Sequence, residues 1–174
     1  MYPALRLAKS LVGAYRAGAV HPLDTVTVTL PVKRIDVEAT RLNNGRYLTL
    51  MDIGRYALIV RCGYLPAFVK NRWYPLVLGV SIRYRKSLRV GTNFDLSTRL
   101  LCWDERNFFL EQTFLQNGEQ RAQALVKAIF LGQGKVVPTQ RIVDSGPHRF
   151  PSPEFPEAVR AWQSALRAME TMGQ

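Results

Sequence analysis

The runs of alternating residues between positions 74 and 131 constrain the fold more than any other part of this chain. In 74–86, Leu78, Val80, Ile82 and Tyr84 alternate with Gly79, Ser81, Arg83 and Arg85, the period of a strand with one buried face. Similar runs predict strands at 92–103, 107–115 and 120–131. Asp104-Glu105-Arg106 and Gln116-Asn117-Gly118-Glu119 are links of hairpin length, so these neighbours run antiparallel. Such a sheet must bury one face, and the preceding segment supplies the filler. Residues 44–62 read as a helix in which Tyr47, Leu50, Met51, Leu58 and Val60 spread apolar mass around most of the circumference, as in a helix enclosed by protein. Gly63 and Pro66 mark its end. The pattern gives an α+β fold, an antiparallel sheet curled round one central helix.

The flanks add less. Residues 3–19 form an amphipathic helix with Leu7, Leu11, Ala14 and Tyr15 on one face and Pro3 in its first turn. Arg6, Lys9 and Arg16 break the apolar run that a signal peptide needs. Packing on the domain is expected, contact with an anionic membrane being the other use of such a helix. Thr25 to Leu30 alternates as a strand that continues to about Val37, with Pro31 marking an edge or a bulge. Residues 41–45 are a loop. Residues 145–156 hold four prolines and form a linker. Residues 157–172 form a terminal helix with Ala158, Trp162, Ala165 and Met169 on one face. Three segments follow: 1–23, a domain at 24–144, and 145–174.

Composition excludes several classes. Two cysteines forty positions apart and two histidines near opposite ends make neither a disulfide framework nor a metal site. No metal and no cofactor is expected, and no apolar run is long enough to cross a membrane. Cys62 and Cys102 read as buried, inert thiols, and a cytoplasmic location follows as the default. Twenty-four Lys and Arg against thirteen Asp and Glu give a net charge of +11. Residues 53–94 hold eight basic side chains and no acid. Such a balance favours anionic partners. Nucleic acid is the least supported of them, because no recognition module and no stacking platform is present.

The run Leu42-Asn43-Asn44-Gly45-Arg46-Tyr47-Leu48-Thr49-Leu50-Met51-Asp52 resembles the start of the central helix in hot-dog-fold acyl-CoA thioesterases, above all the group around 4-hydroxybenzoyl-CoA thioesterase. Trp73 to Gly79, Arg83 to Leu88, Leu101 to Asp104 and Ala124 to Ala128 resemble the same group. The resemblance spans roughly 24–140. It implies the hot-dog fold, hydrolysis of an acyl-CoA or acyl-carrier-protein thioester, and a homodimer or tetramer with sites at a subunit interface. Asn43 and Asn44 match the paired asparagines of the family pattern. Arg41 stands where that pattern has a histidine. The acids Asp36 and Glu38 are displaced by one position from the usual pair, which on a strand turns a side chain to the other face.

Thioester hydrolysis needs a carboxylate, as nucleophile or as base for water, and donors for the developing oxyanion. The amino end of a buried helix offers unpaired N–H groups. Asn44, Gly45 and Arg46 occupy that end. Asp36 is the first candidate carboxylate, the alternative being a surface acid beside Arg34. Glu38 is the second. Asp52 is the third, the alternative being an ion pair with Arg55. Asn43 could orient a ligand or cap the helix, and Tyr47 belongs to the core or to an acyl tunnel. Arg41, Arg83 and Arg85, with Lys86 and Arg89, could take the phosphates of coenzyme A or an acidic carrier. The alternative to an enzyme is a catalytically inactive hot-dog protein that binds acyl thioesters or a protein partner.

Overall fold

The structure, a computed structural model, describes residues 2–172, with side chains from residue 5. The outermost positions of the first and last expected segments therefore lie outside the described residues. Helix α1 spans Tyr2–Arg16 and strand β1 spans Val26–Pro31. The strand expected to run on to Val37 ends at Pro31, and after one further pairing, the Val32 N–H donating to the Thr92 carbonyl at 2.8 Å, the chain leaves the sheet. The chain then makes a 3-10 turn at Arg34–Asp36 and a two-residue hairpin of β2, Val37–Glu38, and β3, Arg41–Leu42. Part of the expected 41–45 loop is thus strand, and helix α2 begins within it, running Asn44–Arg61.

Gly63, at φ +76°, ends α2 as expected. Pro66 does not extend the stop. It lies in the first turn of a short helix, α3, Leu65–Asn71, where its missing N–H costs nothing. Strands β4 (Tyr74–Tyr84), β5 (Asn93–Trp103), β6 (Phe108–Gln116) and β7 (Glu119–Gly132) follow. A short β8 (Lys135–Val137), a helix α4 (Thr139–Asp144) and the terminal helix α5 (Glu157–Thr171) complete the chain. The sequence pattern missed α3 and α4 because each is too short to show a helical period.

The main sheet has the order β1-β5-β6-β7-β4, all neighbours antiparallel, with β8 added to β7. The hairpins β5-β6 and β6-β7 are the ones the two short links predict. The inner face closes on α2, whose Tyr47, Leu50, Met51, Ile53, Ala57, Leu58 and Val60 are all buried. Gly54 permits the close approach of helix and sheet. A Cβ there would lie 2.8 Å from Gln112 Nε2 and nearer still to Thr98 Oγ1.

Helix α1 packs on α2 through Leu7, Leu11 and Ala14, but Tyr15, expected on the same face, is 78% exposed. Position 6 takes its place, so the buried side of α1 includes an arginine. On the outer face of the sheet α5 forms a second small core, in which Val159 meets Cys102 and Phe109 with Trp162 alongside. The inward face of α5 is therefore Val159, Trp162 and Leu166. Ala158, Ala165 and Met169, expected with Trp162, are exposed. The helix is turned about its axis from the expected face, with Trp162 common to both, and Gly79 on β4 leaves room for the Trp162 ring, 3.5 Å from where a Cβ would be.

Candidate active site

The amino end of α2 is built by its neighbours. Asn43 caps it, its Oδ1 accepting from the Gly45 N–H at 2.8 Å. The Asn43 N–H is held in turn by the carbonyl of Asp36 at 3.0 Å. Leu42 N–H donates to the Leu88 carbonyl, and Arg41 bridges Arg89. The Tyr84 hydroxyl donates to the Asn44 carbonyl at 3.3 Å. The segment after β4 therefore lies against the helix start and brings its basic residues with it.

The three candidate acids have different surroundings. Asp36 is buried, 2% exposed, and its Oδ2 accepts from Arg6 Nη1 at 2.7 Å and from the Lys33 N–H at 3.1 Å. It is not a surface acid beside Arg34. Its carboxylate is turned inward to α1. Glu38 is exposed at the hairpin, opposite Arg41 in the β2-β3 register, and its Oε2 accepts from Asn43 Nδ2 at 3.1 Å. Among the three, Glu38 is the carboxylate joined to the helix cap. Between Glu38 and Arg41 the turn holds Ala39 at φ +55°, a left-handed conformation unusual for a residue with a Cβ. Asp52 lies two turns along α2, half exposed, and forms the anticipated ion pair with Arg55.

Arg55 is itself buried. Its Nη1 donates to Gln112 Oε1 at 2.7 Å, and Gln112 Nε2 donates to the Met51 carbonyl and to Thr98 Oγ1, both at 2.9 Å. Burial pulls the Arg55 guanidinium below its ordinary range, an effect that Asp52 opposes. Tyr47 is in the core, its ring 4.8 Å from Phe114 and 5.0 Å from Tyr84, and burial raises its phenol. Burial likewise pushes the Cys62 thiol up to about 12 and the Cys102 thiol to about 11.

The basic residues lie in different places. Arg41, Arg46 and Arg89 belong to the segments that meet at the helix start, Arg46 half-buried and the other two exposed, while the exposed Arg85 follows β4 directly, its N–H donating to the Arg121 carbonyl at 2.8 Å. Arg83 alternates with Tyr84 and so belongs to the opposite face of β4. Lys86 is paired with Glu119. Sequence reasoning did not identify Arg6, Gln112 or Tyr84. A signal for Gln112 was present, since it interrupts the inward series Phe108, Leu110, Phe114 on β6.

In chemical terms the helix start offers a carboxylate, an amide dipole end and several guanidinium groups within one solvent-accessible region. A family model described as "Thioesterase-like superfamily" matches residues 19–163. Protein THEM6 from Xenopus laevis is 34% identical over 124 residues, covering 70% of this chain and 58% of that protein. Protein THEM6 from Danio rerio is 35% identical over 96 residues, covering 55% and 46%. The chain thus spans about half the length of these curated relatives. Among solved structures, DHNA-CoA thioesterase from Staphylococcus aureus superposes with TM-score 0.61 at 15% identity, covering 86% of this chain and 95% of that one. A thioesterase complexed with coenzyme A and Zn from Thermus thermophilus gives 0.57 at 20% identity, covering 78% and 94%. These likenesses establish the hot-dog fold.

Proposed function

The chain belongs to the thioesterase-like superfamily, and from that premise we propose that it hydrolyses an acyl-CoA or acyl-carrier-protein thioester. One observation carries the reading. Asn43 links the Glu38 carboxylate on one side to the Gly45 amide on the other, so a carboxylate and the dipole end of a buried helix meet at one cap. The thioester carbonyl accepts from the first-turn amides of α2, displacing Asn43 Oδ1 from Gly45. Glu38 then activates a water. Water oxygen bonds to the carbonyl carbon, the C–S bond breaks, and the thiol leaves with a proton, giving a free acid. Asp52, on the same helix, is the second carboxylate of the site. Arg41, Arg46, Arg85 and Arg89 supply donors for the phosphates that a CoA or carrier-linked substrate brings.

The same reading includes a homodimer. Strand β4 is an edge of the sheet in the single chain, and its Tyr74, Leu76 and Leu78 are between 42% and 51% exposed. Pairing two such edges would remove both from water. Two buried unpaired cysteines suit a reducing, cytoplasmic compartment.

A second reading is favoured by a specific observation: the Gly45 N–H is already occupied by Asn43, and an arginine stands in place of histidine at position 41. On that reading the protein binds acyl thioesters or a partner without cleaving them. Thiol release from a panel of acyl-CoAs and acyl carrier proteins decides between the two, with Glu38→Gln, Asp52→Asn and Asp36→Asn beside the wild type. The enzyme reading requires turnover that Glu38→Gln abolishes in a folded protein. Saturable binding of acyl-CoA without thiol release selects the binder.

A further inference from the structure

Strand β1 is the other edge of the sheet, and a cleft of about 540 Å3 separates it from α1. The volume is within the range of ordinary ligand sites. The helix side is kept low by the small residues Ser10, Gly13, Ala14 and Ala17, which share one face of α1. A Cβ added at Gly13 would meet nothing within 4 Å. Lys9, Lys33 and Arg61 stand on its walls, and no acid lines it among the described residues.

The direction of the β1 main chain follows from one contact. The Pro31 carbonyl accepts from Arg6 Nη2, so it points toward α1. In an antiparallel pair the N–H and C=O of one residue point to the same side, and the side alternates along the strand. Thr29 and Thr27 therefore direct their main-chain N–H and C=O groups at the cleft. Their hydroxyls are engaged elsewhere, on Asp95 and Ser97. Among the described residues, no partner meets these four main-chain groups.

We infer that this cleft is a docking site for an extended acidic peptide that adds as a strand to the free edge of β1. An alkyl chain would fill the volume but would leave the Thr27 and Thr29 groups unsatisfied in a partly dry cleft. A peptide backbone satisfies them, and the basic walls select acidic side chains over basic ones. The site is separate from the start of α2 and does not depend on thioester hydrolysis.

The test uses the full chain and a fluorescein-labelled peptide, acetyl-Val-Glu-Val-Glu-Val-Glu-amide, with its lysine counterpart and sodium laurate as comparators. The acidic peptide is expected to bind saturably, to weaken as salt rises, and to protect the Thr27 and Thr29 amides from hydrogen exchange. Gly13→Leu, at a helical position where a larger side chain is tolerated, fills the cleft and is expected to lower affinity by roughly tenfold or more. Lys9→Glu with Lys33→Glu reverses the preference toward the lysine peptide. The inference is overturned if the acidic peptide does not saturate, if Gly13→Leu binds it unchanged, or if laurate displaces it while both threonine amides go on exchanging freely.

Discussion

Arg6 in the first helix and Asp36 before the second are joined by a 2.7 Å ion pair in which the side chains are 6% and 2% exposed. The Asp36 carbonyl holds the Asn43 N–H, so the pair ties α1 to the residue that caps α2. Removing one member of a buried pair strands a charge in the interior. Arg6→Ala is expected to destabilise the fold by about 3–5 kcal/mol in urea titrations. The double variant Arg6→Met with Asp36→Leu should recover most of that loss, because no charge is then left behind. Equal stability of Arg6→Ala and wild type would show that the pair is solvated.

Gly54→Ala sets two effects against each other. Alanine favours a helix over glycine by about 1 kcal/mol. The added methyl would collide with Thr98 and Gln112, whose side chains are fixed by their own hydrogen bonds. Overpacking of a rigid site costs about 1–3 kcal/mol, and the loss of the Gln112 bonds adds to it. The clash is expected to win, and the variant should melt below wild type. A melting temperature at or above wild type would mean that α2 can move off the sheet freely.

Asn43 has two roles that a pair of variants separates. Asn43→Ser keeps an N-cap oxygen but loses the Nδ2 donor to Glu38, whereas Asn43→Ala loses both. Loss of the cap costs about 0.5–2 kcal/mol. Chemical denaturation should therefore report a lower midpoint for Asn43→Ala only, while thiol release should fall in both. Unchanged turnover in Asn43→Ser would remove the link to Glu38 from the mechanism.

The buried thiols give stability a defined pH dependence. Burial lifts Cys62 from its ordinary 9.0 to about 12 and Cys102 to about 11. In the unfolded chain both ionise first, so the native advantage is complete below pH 9 and is lost as pH rises through 9 to 12. Melting temperature should fall across that window. In the Cys62→Ala, Cys102→Ala double variant the slope should be shallower, whatever its starting stability. Identical slopes would show that the thiols ionise equally easily folded and unfolded.

The parts of the molecule that were legible in the sequence are those set by periodicity. The four long strands, the helix wrapped by them and the Asn43 cap follow from alternation, from an apolar circumference and from one amide side chain. The short elements were not legible, since the six residues of α4 make less than two turns. Burial of charge was not legible either. Arg6 reads as a solvent-facing position until Asp36 is seen beneath it, and that partner lies thirty residues away. The rank of the acids changed for the same reason. Asp36 and Glu38 are equivalent in sequence, and only the 3-10 turn at Arg34–Asp36 sends one inward and the other to the cap.

The strand order also has a consequence for how the chain acquires its shape. The β5-β6-β7 meander is closed by links of a few residues, whereas β1 meets β5 with Val26 opposite Thr98, and β4 meets β7 with Tyr84 opposite Ala122. Closing long loops costs more entropy than closing short ones, so local hairpins are favoured early and distant pairings late. The two outer strands are then the last to join the nucleus and the first to leave it. Both surfaces assigned to partners, the β4 edge and the β1 cleft, are built on these late-arriving strands. Occupying either one would slow unfolding with little effect on the rate of folding.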